Sequence, residues 1–250
     1  MVSKKIQKAY ARLEHDRRLH IAKSSKWKNA REVAAALELA DTDDGIPSAA
    51  SPLSICACKP HFQRRVAALS YPARKSMLAT ILPYSGYIPA KEISREDIFS
   101  AQQKLQRDLR RLSVHGRHES LFCTDFTIFE QIESGSEKPV YYIQIHFHGI
   151  MHTDDRYLLD GLRETRGMQH GAKGMKAIHT TAVTDRAGAA EYCLKWCIPR
   201  RTFSFNPATE RRTMFRPVYP AKRPLLMLLY ALSDITPSQL EFRMNARDPE

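Results

Sequence analysis

Residues 141–151, YYIQIHFHGIM, decide how the rest of the chain is interpreted. The stretch is apolar, rich in β-formers and alternating, and this pattern predicts a β-strand. Successive strand side chains point to opposite faces, so His146 and His148 project from one face about 7 Å apart. Ile145 and Phe147 point to the other face, into a predicted core. Two imidazoles on one face can bind a single cation.

A second strand is predicted over residues 121–131, LFCTDFTIFEQ, and the turn ESGSE at 133–137 joins it to the histidine strand as a hairpin. Glu130 on this strand is the predicted third metal ligand, because hard cations favour oxygen ligands. His152 is the alternative, since it shares the strand face of the histidine pair. Two histidines with one carboxylate would by themselves also suit Zn²⁺.

The segment DRAGAAEYCLKWC, residues 185–197, predicts a helix that carries Tyr192 and Lys195 three positions apart, on one face. Tyrosine is among the side chains that form covalent intermediates. A neighbouring ammonium can stabilise a phenolate, or the charge that builds on a phosphate. A metal ion can polarise the same phosphate as a Lewis acid. Together these groups describe phosphodiester transfer on a polyanion.

These residues resemble the HUH endonucleases, specifically the rolling-circle replication initiators, in which His-hydrophobic-His is followed by a helix with Tyr-x-x-Lys. HFHG at 146–149 and YCLK at 192–195 carry the resemblance, together with Glu130. LATILPY at 78–84 is similar to the first strand motif of the family, and FTIFEQ at 126–131 to the strand that supplies its acidic ligand.

The resemblance implies an RRM-like core and a mechanism. Glu130, His146 and His148 would hold Mg²⁺ or Mn²⁺. Tyr192 would attack single-stranded DNA at a replication origin, giving a 5′-phosphotyrosine and a free 3′-hydroxyl that primes synthesis. Lys195 would position or neutralise the phosphate.

One departure from the family concerns the position one turn after Tyr192, where some relatives carry a second tyrosine. Trp196 stands there, which favours a single nucleophile. The chain has no GxxxxGK[ST] phosphate loop, so a separate helicase and a DNA polymerase are the expected partners.

The charge balance agrees with a nucleic-acid substrate. The chain of 250 residues has a formal net charge of +12, and its basic residues are clustered. Candidate DNA contacts are Arg64, Arg65, Trp196, Arg200 and Arg201. Five cysteines, an odd number, and a polar N-terminus without a secretory signal favour a cytoplasmic location. The longest apolar run, residues 225–232, is far short of the roughly 20 residues needed to cross a bilayer, so no membrane partner is expected.

Three parts are predicted along the chain: a basic helical extension with a linker over residues 1–54, a catalytic domain over 55–205, and a C-terminal extension over 206–250. The extension is either a clamp on the DNA backbone or a solvated helical hairpin packed on the main domain. In the catalytic domain, residues 94–114 predict a helix with a capping box at Ser94. Shorter predicted elements are a strand at 76–84, a helix at 155–165, a strand at 176–183 and helices at 225–232 and 238–246.

The cysteine-rich stretch ICACKPHFQRRV, residues 55–66, has two interpretations. Cys56, Cys58 and His61 have spacings that a zinc site can use, although no fourth ligand is obvious. Structural cysteines in a loop are the other interpretation.

The predicted fold class is α+β, a central antiparallel sheet flanked by helices. Alternatives to the replication initiator are a related HUH transposase or relaxase, and a DNA-binding protein that keeps the fold without cleaving. A cupin-like metalloenzyme also uses HxH and Glu on strands, but the helix at 94–114 and the basic charge argue against it.

Overall fold

The architecture is taken from a computed structural model of the chain. The structure describes residues 4–42, 44–71, 75–82, 87–113, 118–131, 139–153, 156–167, 178–195, 197–206, 211–214 and 216–246. The helices are α1 (Lys4–Ser24), α2 (Ala30–Leu39), α3 (Pro52–Ala67), α4 (Arg95–Leu112), α5 (Arg156–Gly167), α6 (Arg186–Cys193) and α7 (Lys222–Ser233). The strands are β1 (Met77–Ile81), β2 (Tyr87–Pro89), β3 (His118–Gln131), β4 (Val140–Thr153), β5 (Ile178–Ala182), β6 (Arg200–Asn206), β7 (Arg211–Met214) and β8 (Glu241–Ala246).

The described strands form one sheet in the order β5–β1–β4–β3–β6–β7, with β2 paired to β4 and β8 paired to β3. All pairings are antiparallel except β3 with β6, which run parallel, so the sheet is mixed. The α+β class with helices flanking a central sheet is therefore confirmed. The parallel pair is the one departure from the expected antiparallel arrangement.

Strands β3 and β4 form the long central hairpin, and their register runs without interruption from the pair His118↔Thr153 to the pair Gln131↔Val140. Side chains therefore alternate strictly between two faces. We call the face of odd-numbered β3 and even-numbered β4 residues the site face, and the opposite one the core face. Leu121 and Ile150 on the site face pack against α3 and α6, whereas the core face packs against α4, α5 and α7.

Helix α4 confirms the prediction made from its periodicity and its capping box. The Ser94 hydroxyl accepts from the Asp97 backbone N–H at 3.2 Å, and the Asp97 carboxylate accepts from the Ser94 N–H at 3.0 Å. Ile98, Leu105 and Leu109 are fully buried against the core face of the sheet. The cap and the apolar stripe together explain why the helix begins and packs here.

The glycine of the HFHG motif has a packing reason. Gly149 lies directly opposite Phe122, and a Cβ at this position would lie 2.3 Å from the phenyl ring. The missing side chain lets the Phe122 ring lie flat against β4, where it stacks on Phe242 at 5.5 Å between centroids. Gly149 is therefore needed for the core face, one residue away from the histidine that faces the site.

The N-terminal helices pack into the folded body. Arg18 of α1 is fully buried, and its guanidinium donates to the Ala50 carbonyl at 2.7 Å and to Glu14 at 3.0 Å. Val33 and Leu37 of α2 belong to the same buried cluster as α7 and the sheet. Helices α1 and α2 are thus packed on the main body, while their role as a DNA clamp stays a prediction. The boundaries predicted at 54 and 205 also stay predictions, although α3 and β6 run through them.

Several local predictions need correction. The cysteine-rich stretch is helix α3, not a loop. Residues 238–246 are a 3₁₀ turn followed by edge strand β8, not a helix. Strands β6 and β7 lie within residues 200–223, an Arg-rich stretch whose lack of periodicity predicted no element. Helix α6 ends at Cys193, so Lys195 follows the helix and does not extend its face.

Crossing a bilayer takes a helix of about 20 predominantly apolar residues. No described helix is both long and apolar enough for this.

Candidate metal centre

The candidate centre is built on the middle of the β3–β4 hairpin. Asp125 lies directly opposite His146, and Cys123 lies opposite His148, so register alone brings Asp125 and both histidines onto the site face. One ligand atom from each of Asp125, His146 and His148 lies within 4.8 Å of the others. Asp125 and His148 are buried and His146 is partly exposed, which leaves the group open on one side.

The orientation of His148 is set by a neighbour on β1. Thr80 pairs with His148 in the sheet, and its hydroxyl lies 2.9 Å from His148 Nδ1. The Lys195 ammonium lies 3.1 Å from the other ring nitrogen, Nε2, and an ammonium can only donate. Asp125 Oδ2 also lies 3.3 Å from Nε2, so this nitrogen can donate to the carboxylate or, with the proton on Nδ1 donated to Thr80, direct its lone pair to a cation. The second tautomer is the one that a metal ligand needs.

The second histidine is held by its own strand. His146 Nε2 lies 2.9 Å from Gln144 Oε1, which accepts the hydrogen bond from two residues away on the same face. The rings of His146 and His148 meet edge to face with 5.9 Å between centroids.

The charge states of the group suit a cation. Burial acts to raise the pKa of Asp125, but contact with His148 and the positive charge of Lys195 outweigh it and leave that pKa below its usual value. Loss of hydration lowers the pKa of His146 to about 4, although Asp125 opposes the shift. At neutral pH the group therefore offers a charged carboxylate and a neutral imidazole. These donors fit a divalent metal ion, and they do not by themselves fix which one.

Tyr192 reaches the centre from helix α6. Asp185 caps this helix by accepting from the backbone N–H groups of Ala187 at 2.9 Å and Gly188 at 3.1 Å. Cys193 faces inward into the cluster with Leu121, while Tyr192 beside it is 45% exposed. The Tyr192 ring lies edge to face on the His148 ring, with 5.2 Å between centroids.

Lys195 links the nucleophile candidate to the metal ligands. Its ammonium lies 4.1 Å from the centroid of the Tyr192 ring and 3.5 Å from Asp125 Oδ2. The chain returns toward the sheet after helix α6 ends, so Tyr192 and Lys195 meet although they do not share a helical face. The ammonium occupies the side of His148 and Asp125 that a metal ion would also contact, which shows that these atoms stabilise positive charge.

Glu130 does not join the histidines, and Asp125 takes the position that we expected for it. Glu130 is an odd number of residues from Asp125 on an uninterrupted strand, so it lies on the core face. There it accepts hydrogen bonds from Tyr141 at 3.2 Å and Thr202 at 3.0 Å, and it pairs with Arg200 at 3.1 Å. A carboxylate from β3 does lie beside the two histidines, but it belongs to Asp125 and not to Glu130.

The alternative third ligand also lies elsewhere. His152 is on the site face but four residue pairs beyond His148 along the hairpin, where its ring stacks on Tyr71 with 3.6 Å between centroids. Its Nδ1 atom is in short contact with the Lys75 carbonyl. His152 is not a member of the metal-ligand group.

The zinc candidate forms no ligand cluster among the described residues. Cys56 and Cys58 lie two residues apart on α3, so their side chains point about 200° apart around the helix axis. Cys58 and His61 share one side of α3, but within the part of the chain that the structure describes they belong to no metal-ligand cluster. Burial raises the pKa of the Cys58 thiol, which disfavours the thiolate that zinc needs.

The candidate DNA-contact residues divide into two groups. Arg65 pairs with Glu241 at 2.6 Å and Arg200 pairs with Glu130, so both have a carboxylate partner within the fold. Arg64 is exposed on α3. The charge of Arg201 is among those that lower the pKa of His146, so this guanidinium lies near the centre. Trp196 lies outside the described residues.

Asp125 and Thr80 of the centre were not predicted from the sequence. Both lie inside stretches that were predicted as strands, and the alternation of side chains between strand faces was the available signal for Asp125. Without the register of the hairpin, however, Asp125 and Glu130 were equivalent carboxylates on the same strand. Thr80 needed the β1–β4 pairing, which joins residues 68 positions apart.

Comparison with known proteins does not assign the chain. No protein-family model, no curated protein and no solved structure matches it. The interpretation of the centre therefore depends on the geometry of its side chains.

Proposed function

We propose that this protein is a metal-dependent enzyme of the HUH type that nicks and rejoins single-stranded DNA, and that it initiates rolling-circle replication at an origin. One observation carries the proposal: Tyr192 and Lys195 meet the Asp125–His146–His148 group on one sheet face. A tyrosine, an ammonium and two imidazoles with a carboxylate are the groups that a transesterification at phosphorus requires.

In the proposed reaction, the Tyr192 oxygen attacks the phosphorus of the scissile phosphodiester. The bond from phosphorus to the 3′ oxygen breaks, and that oxygen leaves with the electron pair and takes up a proton. The products are a 5′-phosphotyrosine and a free 3′-hydroxyl. Reversal of the same exchange by a later 3′-hydroxyl rejoins the strand, so no energy source is consumed.

Each residue of the centre has a separate role in the proposed reaction. Lys195 donates to a phosphate oxygen and offsets the charge that develops there, because its ammonium already lies between Tyr192 and the ligand atoms. Asp125, His146 and His148 would hold Mg²⁺ or Mn²⁺, which supplies Lewis-acid polarisation of the scissile phosphate when bound. Thr80 can accept the Nδ1 proton of His148, and this tautomer leaves the Nε2 lone pair for the ion.

The charge of the chain supports a polyanionic substrate. The net charge of +12, with Arg201 beside the centre, attracts DNA without specifying its sequence. A separate helicase and a DNA polymerase remain the proposed partners.

The test is a covalent adduct on a denaturing gel. Purified protein is incubated with single-stranded oligonucleotides from its own replicon, with Mn²⁺ or with EDTA. We expect a Mn²⁺-dependent adduct with the wild type and with Tyr157→Phe, a control at an exposed tyrosine of α5. Tyr192→Phe should give none, since phenylalanine has no oxygen to attack with.

Two outcomes would contradict the proposal. An undiminished adduct with Tyr192→Phe would remove this tyrosine as nucleophile. Tight, salt-sensitive DNA binding without an adduct on any sequence would favour a binding protein that keeps the fold without cleaving.

A further inference from the structure

Helix α1 presents an apolar stripe to solvent. Ile6, Tyr10 and Leu13 are 47%, 57% and 64% exposed, and their spacing of four and three residues puts them on one side of the helix. The opposite side, with Ala11, His15, Arg18 and Ala22, is the buried one. The most apolar line along this helix is therefore not the line that holds it to the protein.

The stripe runs beside the catalytic segment. Gln7 Nε2 lies 3.5 Å from the carboxylate of Glu191, the residue that precedes Tyr192. Tyr10 follows Gln7 by three residues, so these two side chains are neighbours on the surface of α1. Farther along, Tyr219 donates to Glu14 at 3.4 Å, and the Arg17 guanidinium stacks on the Tyr219 ring at 3.0 Å. Helix α1 is thus held beside α6 by Gln7 and by its contacts with Tyr219.

The same helix is strongly basic. Its 21 residues, KKIQKAYARLEHDRRLHIAKS, include seven lysines and arginines and only two acidic residues. Arg12 pairs with Asp41, and Arg18 pairs with Glu14 inside the protein. Lys5 and Arg17 are exposed: Arg17 continues the line of the stripe one turn beyond Leu13, and Lys5 lies about 100° from it around the helix axis. A polyanion is therefore the occupant that the charge of this surface favours.

We propose that Tyr10 and Leu13, with Lys5 and Arg17, form a binding surface for the bases of single-stranded DNA beside the scissile phosphate. Aromatic side chains next to basic ones bind single strands, because each unpaired base stacks on a ring while the phosphates meet the cations. A duplex keeps its bases in the stack, so it can use the cations of this surface but not its apolar side chains. The placement of the scissile phosphate rests on the proposed function, whereas base binding by α1 does not.

The experiment measures DNA affinity with nicking switched off. A labelled single-stranded oligonucleotide and a duplex of the same length are titrated in EDTA and monitored by fluorescence anisotropy. We expect the double substitution Tyr10→Ala with Leu13→Ala to weaken single-strand binding about tenfold and to leave duplex binding unchanged. Tyr157→Ala, a matched exposed tyrosine on α5, should change neither affinity.

Further variants separate stacking from charge. Tyr10→Trp should retain the affinity for the single strand, because indole offers at least as much stacking area. Lys5→Gln with Arg17→Gln should weaken single-strand and duplex binding alike and lower the salt dependence of both, since each cation removed is one phosphate contact fewer. Unchanged circular dichroism and melting temperature would show that each variant is folded.

Several results would overturn the inference. They are no binding of the single strand by the wild type, an unchanged affinity in the Tyr10/Leu13 variant, or an equal loss on the duplex. A wild-type dimer that this variant converts to a monomer, with DNA affinity unchanged, would assign the stripe to a second copy of the chain. Failure of the adduct assay with the α1 effect intact would reject the nicking proposal alone.

Discussion

The two faces of the β3–β4 hairpin have the same backbone and register but opposite characters. On the site face, Asp125 and His148 meet Tyr192 and Lys195 under the short helix α6. The core face is filled by aromatic and aliphatic side chains such as Phe147, under the long helices α4 and α7. The polar groups of the site therefore lie beside the end of the short helix α6, whereas the core face is mostly apolar and is covered by α4, α5 and α7.

Glu130 and Asp125 show how sharply the two faces are separated. Both are acidic residues on β3, five positions apart, and only Asp125 points to the site. Glu130 is enclosed by Tyr141, Thr202 and Arg200 and ties β6 to β3. The same side-chain chemistry thus offers a metal ligand on one face and a structural ion pair on the other.

Histidines provide a second contrast. His146 on the site face and His118 on the core face both have a pKa of about 4, and in both cases loss of hydration is the main cause. His118 is fully buried and hydrogen-bonds to Ser120 at 3.0 Å, away from Tyr192 and Lys195. A low histidine pKa therefore does not identify the site, whereas a position next to Asp125 does.

The largest expected effect comes from removing the charge of each carboxylate in turn. Asp125→Asn should lower the rate of Mn²⁺-dependent adduct formation at least about 100-fold, because the ligand loses its charge and a donor oxygen. Glu130→Gln should leave Mn²⁺ affinity within about twofold and reduce the free energy of unfolding by about 1–2 kcal/mol, since Arg200 loses its charged partner. Calorimetric Mn²⁺ titration and urea unfolding measure both. Loss of Mn²⁺ binding in Glu130→Gln alone would return Glu130 to the site.

A smaller effect should appear in how the free energy of unfolding depends on pH. His118 takes up a proton at about pH 4 in the fold and near pH 6.5 in the unfolded chain. The unfolded chain therefore binds more protons in this window, and stability falls as the pH drops below 6.5. Between pH 6.5 and 5, His118 alone should lower the free energy of unfolding by about 2 kcal/mol. Urea unfolding at several pH values measures it.

The matched variants are His118→Gln and His20→Gln, the second at an exposed histidine of α1. His118→Gln should remove the share of the decline below pH 6.5 that His118 causes and leave the share due to His146, and His20→Gln should leave the decline unchanged. An equal decline in all three proteins would show that other groups cause the acid sensitivity.

The smallest expected effect tests how the site face is ordered. Thr80→Val removes the hydroxyl that holds the Nδ1 proton of His148 while keeping the shape of the side chain. Mn²⁺ affinity should fall about tenfold, as is typical when the partner of a ligating histidine is lost. Thr80→Ser should restore it. An unchanged affinity in Thr80→Val would show that His148 keeps its orientation without this bond.

The sequence by itself determined the local elements that have a strong period or cap. Alternation placed His146 and His148 on one strand face, and a 3.6-residue period with Ser94 and Asp97 defined helix α4. It also predicted a helix with Tyr192 downstream of the histidine strand. These features depend on neighbours within a few residues, so they can be recognised in the chain alone.

Only the tertiary structure decided which residues complete the site. The hairpin register selected Asp125 and turned Glu130 away, and the β1–β4 pairing brought Thr80 to His148. The end of α6 at Cys193 sent Lys195 back to the ligands, and the packing of α1 left its apolar stripe in solvent. Each outcome depends on contacts between segments far apart in the chain, where a shift of one residue reverses the face that a side chain occupies.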